Sequence, residues 1–231
     1  MHTSLIKLSD LNELTERHRA LIKDAMRLVY GYLPDNLPIQ HDVEISFKVY
    51  DETAGHGLCF GPSRISINLP STTIRDIKDD ELVIYLASVI VHELFHAKHA
   101  LIERPDTLFQ KICEEGIACH HEINFLGQTD PMLYNMRRSG LMISGEEAEF
   151  IYQTICSYTL SRSPKQIHDA VFTISGQADE RFRPPGYKLG YFLLRTCLNT
   201  RETALRELSQ MNFSEIFKLI PVAPFETLPR E

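Results

Sequence analysis

The sequence predicts an α+β fold: a small antiparallel sheet and one long helix in the first half of the chain, then a predominantly helical C-terminal half. Three observations predict it. Val43-Glu44-Ile45-Ser46-Phe47-Lys48-Val49 alternates apolar and polar side chains, as a half-buried strand does. Residues 79–102 contain no Gly or Pro and carry an apolar run, Leu82 to Val91, that extends nearly all round a helix, as a buried helix does. After Gly127, apolar residues recur at helical spacing between breaks at Gly140, Gly145, Pro164, Gly176 and Pro184-Pro185.

Composition narrows the class. At 231 residues the chain can bury a substantial core, and a single domain over 1–231 is expected, with a sheet and long-helix half (1–127) and a helical half (128–231). A net charge of -7 and a pI near 5.8 leave no basic footprint, which argues against nucleic acid or an anionic membrane as partner. The first 20 residues hold no apolar segment of the signal-peptide kind, and nowhere do 18 apolar residues follow one another, so no membrane insertion is expected. Cys59, Cys113, Cys119, Cys156 and Cys197 are odd in number and scattered, which fits reduced thiols and a cytoplasmic location. Cys113 and Cys119 read as small core residues.

In chain order, residues 9–30 read as an amphipathic helix capped by Ser9 or Asp10 and ended by Gly31 and Pro34. Residues 43–49 form a strand, 51–57 a loop, and Leu58-Cys59-Phe60 with Arg64 to Leu69 two short strands around Gly61-Pro62-Ser63. Asp79, Asp80 and Glu81 suit the N-terminus of the long helix. Pro105 with Asp106 starts the next helix, Asp106 capping or charging its first turn. Residues 146–160, 165–175 and 187–198 are helical, 201–219 hold one or two shorter helices, and Pro221, Pro224 and Pro229 mark an irregular tail.

The chemistry is concentrated in residues 91–122. His92-Glu93-Leu94-Phe95-His96 is a His-Glu-x-x-His pattern. On a helix the two histidines fall about 40° apart around the axis and roughly 6 Å apart along it. Both imidazoles then reach one zinc ion. Glu93 is offset by about 100° from His92 and about 60° from His96, so its carboxylate flanks the metal, where a general base for an attacking water is needed.

A tetrahedral site requires a third protein ligand. Glu115 follows His96 after 18 residues. From His96 the chain climbs about seven residues, turns and descends about nine, so an antiparallel helix pair returns Glu115 to the level of the histidines. Leu108, Ile112, Glu115, Cys119 and Leu126 recur at helical spacing, which puts Glu115 on an otherwise apolar face, where a carboxylate is costly without a partner or a metal. Glu114 points about 100° away. Gly116 and Ala118 are small enough to admit a closely packed helix. His99 lies seven residues from His92, too far along a straight helix for His92, His96 and His99 to share one ion. Spacing leaves His120 and His121 open, and surface or core roles are expected for both.

His92-Glu93-x-x-His96, 18 residues, then Glu115-Gly116-Ile117-Ala118 with Glu122, resembles the gluzincin branch of the zincin metallopeptidases (peptidase clan MA). The aminopeptidase N and leukotriene hydrolase group has the same interval and a Glu-Gly-x-Ala-x-x-x-Glu segment. The Gly-Ala-Met-Glu-Asn exopeptidase segment of the aminopeptidases is absent. The chain is more similar to small predicted bacterial gluzincin proteases with a Gly-Tyr-x-x-Gly-Tyr type segment, here Gly186-Tyr187-Lys188-Leu189-Gly190-Tyr191.

The resemblance implies a zincin-like fold, Zn2+ held by His92, His96 and Glu115, Glu93 as catalytic acid/base, and Glu122 orienting a ligand. It implies zinc-dependent hydrolysis of a peptide or protein substrate, with a sheet edge before the zinc helix binding an extended chain by strand addition. Tyr187, or Tyr191 one turn on, is the expected donor to the developing oxyanion, and Arg183 a holder of a substrate carbonyl or carboxylate. From another class comes a zincin-fold module that binds metal or a protein partner without cleaving. Retention of Glu93 weighs against that, because a structural site has four closed ligands and no base.

Overall fold

A computed structural model of the chain describes residues 6–50, 56–70, 78–159, 163–173, 184–200 and 204–220. Arg183, the break at Gly176, residues 51–55 and the proline-marked tail lie outside the described residues; His56 and Gly57, expected in a loop, are strand. The described residues form an α+β structure. In order they give β1 (Ile6–Ser9), a 3-10 turn (Leu11–Glu13), α1 (Glu16–Asn36), β2 (Val43–Tyr50), β3 (His56–Cys59), β4 (Arg64–Pro70), α2 (Asp79–His99) and α3 (Leu108–Thr129). Then follow α4 (Pro131–Leu141), α5 (Gly145–Thr159), α6 (Pro164–Phe172), α7 (Pro185–Thr200), α8 (Leu205–Leu208) and α9 (Phe213–Leu219). No helix among the described residues is long and apolar enough to cross a membrane.

The chain forms two compact units, one from residues 1–104 and 118–136, the other from 105–117 and 137–231. In the first, four strands lie in the order β1-β2-β4-β3. The sheet is mixed, which corrects the antiparallel expectation: β1–β2 and β2–β4 are parallel and only β3–β4 is antiparallel. The reason is connectivity. β1 is joined to β2 through α1, and a helical crossover joins parallel strands. The β3–β4 hairpin then pairs its second strand with β2 and leaves β3 at one edge, opposite β1.

Alternation works as the sequence implies: Val43, Ile45 and Phe47 of β2 and Ile65, Ile67 and Leu69 of β4 are buried on one sheet face. Ile22, Ala25 and Val29 of α1 and Leu86, Ile90 and Leu94 of α2 are buried in the same unit, and α2 packs on α1, β3 and β4. Two helix boundaries differ from expectation. The 3-10 turn displaces the start of α1, so Thr15, not Ser9 or Asp10, is its cap, accepting from the His18 N–H at 3.3 Å. Gly31 and Pro34 both lie inside α1 rather than ending it; proline is the costlier of the two. Pro34 deletes one hydrogen bond in the last turn, which Leu37 N–H to Leu33 O still closes at 3.0 Å.

At the start of α3, Thr107 Oγ1 accepts from Gln110 N–H at 3.2 Å while Gln110 Oε1 accepts from the backbone N–H of Asp106 and Thr107 at 2.7 and 3.0 Å. This reciprocal capping replaces the cap expected of Asp106. In the second unit α5, α6 and α7 pack on one another, and the first half of α3 meets α7. A Cβ added to Gly116 would stand 2.5 Å from the Gly190 carbonyl oxygen and 2.8 Å from its Cα. At Gly186 it would stand 2.6 Å from side-chain atoms of Val171 and Phe172. Both glycines of the Gly-Tyr-x-x-Gly-Tyr segment are therefore close-approach positions.

Candidate metal centre

Helix α2 places its acidic residues in its first turn and His92, Glu93 and His96 deep in its buried second half, 6, 7 and 6 % exposed. Burial of these groups among Leu94, Phe95, Ile90 and Val91 requires partners for their polar atoms. The i,i+4 spacing brings the two imidazoles together as the sequence implies: His92 Nε2 stands 3.2 Å from His96 Nε2. On its other side, His92 Nδ1 stands 3.4 Å from Glu122 Oε2 of α3. A carboxylate there favours the tautomer with the proton on Nδ1, which turns the Nε2 lone pair toward His96.

Two groups of three buried residues bring possible ligand atoms within 4.8 Å of one another: His92, His96 and Glu115, and His92, Cys119 and Glu122. Glu115, Cys119 and Glu122 are successive turns of one face of α3. These His, Glu and Cys groups could hold a metal ion. The first group matches a three-ligand zinc site in donor chemistry, and its two imidazoles match one in spacing. Two imidazole nitrogens and a carboxylate are the donor set of a three-ligand zinc site. Two nitrogens at roughly 2.05 Å in a tetrahedron stand about 3.3 Å apart, against the 3.2 Å found here. The second group shares His92 and faces the ring edge whose nitrogen points at Glu122, so it competes with the role of Glu122 as an orienting carboxylate. Cys119 as a member of such a group was not anticipated from its spacing; it reads in sequence as one more apolar position of the α3 face.

Lys111 was also missed. One turn before Glu115 on α3, its Nζ lies 3.0 Å from Glu115 Oε1 and 2.9 Å from Glu114 Oε2. Burial disfavours its charge, yet the Glu115 and Glu114 carboxylates outweigh that and raise its pKa above the usual lysine range. The i,i+4 relation of Lys111 to Glu115 is legible in the sequence, but not that Glu114 would be buried beside it too.

His99 and His121 are packing groups. His99 is fully buried and stacks on Phe95 at 5.4 Å; His121 stacks on Phe95 at 5.5 Å. His121 Nδ1 lies 3.1 Å from the Tyr32 hydroxyl, which also donates to the His121 carbonyl at 3.3 Å and accepts from Asn124 Nδ2 at 3.2 Å. Burial, then the nearby Lys98 charge and the neighbouring His120 and His92, lower the His121 pKa to about 3, so it is neutral at pH 7.

Tyr187 lies in the first turn of α7, half-buried, with its ring edge-on to Phe172 at 6.0 Å, and Tyr191 is buried one turn on. All five cysteines are free thiols. In comparisons with known proteins, no family model, no curated protein and no solved structure matches this chain.

Proposed function

We propose that the chain is a zinc-dependent metallopeptidase of the gluzincin type with a zincin-like fold, hydrolysing peptide bonds with Glu93 as general base. The observation that supports it best is the convergence of His92, His96 and Glu115 ligand atoms beside a glutamate one residue from the first histidine. Zinc, when bound by these three, supplies the Lewis-acid charge that makes water a nucleophile at neutral pH.

The protein's own groups do the rest. Glu122 holds the His92 ring by its Nδ1 edge. Glu93 takes a proton from the attacking water onto its carboxylate and hands it to the departing amide nitrogen. Burial of Glu93 keeps bulk water from competing for that proton. Tyr187 is the proposed hydroxyl donor to the oxyanion.

The test is Glu93→Gln, which preserves size and hydrogen bonding while removing the base. Assayed on a broad peptide library, the wild type cleaves and Glu93→Gln falls by about a hundredfold or more with bound zinc unchanged. A wild type that binds zinc and cleaves no member of the library would leave a metal- or partner-binding module instead.

A further inference from the structure

The edge strand β3 packs on α2, and at Gly57 it comes against Glu93. Gly57 of β3 is paired with Ile67 of β4, whose side chain is buried, and directly opposed residues share a sheet face. The missing side chain of Gly57 therefore points to the face on which α2 packs. A Cβ built there would collide with Glu93 Cγ and stand 2.6 Å from both Cδ and Oε1. Backbone conformation does not demand glycine here, since Gly61 is the glycine with positive φ among the described residues. Glycine inside a strand is intrinsically unfavourable, so space for Glu93 is what it provides.

We propose that Gly57 is a positioning residue for Glu93: by omitting a side chain, the edge strand admits the Glu93 carboxylate against its backbone and fixes where that carboxylate stands. The contact reaches Glu93 Cγ, whose place is set by the first side-chain torsion alone. Any residue other than glycine forces that torsion into another well inside a buried helix face. His92 and His96 point elsewhere on α2 and are left in place. The effect of Gly57 on turnover rests on the peptidase reading; its steric coupling to Glu93 does not.

A double-mutant cycle tests both halves on the full-length protein: wild type, Gly57→Ala, Glu93→Ala and the double variant. Gly57→Ala lowers the thermal midpoint by roughly 3 °C or more when Glu93 is present, and leaves it unchanged or raises it when residue 93 is alanine. Equal shifts in both backgrounds overturn the proposal. On a library peptide that the wild type cleaves, Gly57→Ala lowers kcat by about 100-fold while KM stays within about twofold and bound zinc is unchanged. A kcat within about threefold of wild type also overturns it. If the wild type cleaves nothing, the peptidase reading fails and the stability cycle alone decides the placement of Glu93.

Discussion

A histidine that binds metal through one ring nitrogen is only as well placed as the group on its other nitrogen. His92 has Glu122 Oε2 at 3.4 Å from Nδ1, so on the proposed zinc reading Glu122→Gln weakens zinc binding by about 10–100-fold in a chelator competition, with the fold retained. His121 makes a different prediction. Its native pKa of about 3 lies below the usual 6.5, so the unfolded chain binds a proton there as pH falls through 6.5 while the native protein does not until about 3. Stability is therefore lost across that window, at up to about 1.4 kcal/mol per pH unit, and His121→Gln removes that share of the slope in denaturant melts from pH 7 to 4. At this scale the sequence was informative where spacing along one helix decides, as for His92, Glu93 and His96. It was silent where a second element decides: Gly57 reads as the last residue of a loop until β3 is known to lie against Glu93, and the burial of Glu114 beside Lys111 follows from packing that spacing does not show.

Among the elements, α3 carries the most. Its N-terminal half holds Lys111, Glu115 and Gly116, and its C-terminal half Cys119, His121 and Glu122. Gly116 sits beside Glu115 and against the backbone of Gly190 in α7. Gly116→Ala forces that contact apart and costs about 1–3 kcal/mol of stability in a denaturant melt, and on the proposed zinc reading the displaced α3 backbone weakens zinc binding with it. Small residues at 116 and 118 were legible as a close-approach face; that the glycines of the Gly-Tyr-x-x-Gly-Tyr segment form such contacts was not, because the sequence does not say which helices meet. Long elements were read well and their ends poorly. The α1 cap moved to Thr15 because a 3-10 turn intervenes, and the α3 cap is a Thr107–Gln110 pair. The parallel pairing of β1 escaped detection because Ile6–Ser9 is too short to show alternation.

For the molecule as a whole, the central question is whether the buried group of His92, His96 and Glu115 is a metal centre. An ion held there, and not by the unfolded chain, would add its binding free energy to stability, so on the zinc reading chelation lowers the thermal midpoint and zinc restores it. The most direct measurement is elemental mass spectrometry of the purified protein beside His96→Ala and Glu115→Ala. The account predicts about one zinc per chain in the wild type, lost or much weakened in both variants. A wild type that stays zinc-free after refilling at neutral pH, or a Glu115→Ala protein that binds zinc as tightly as the wild type, would contradict it.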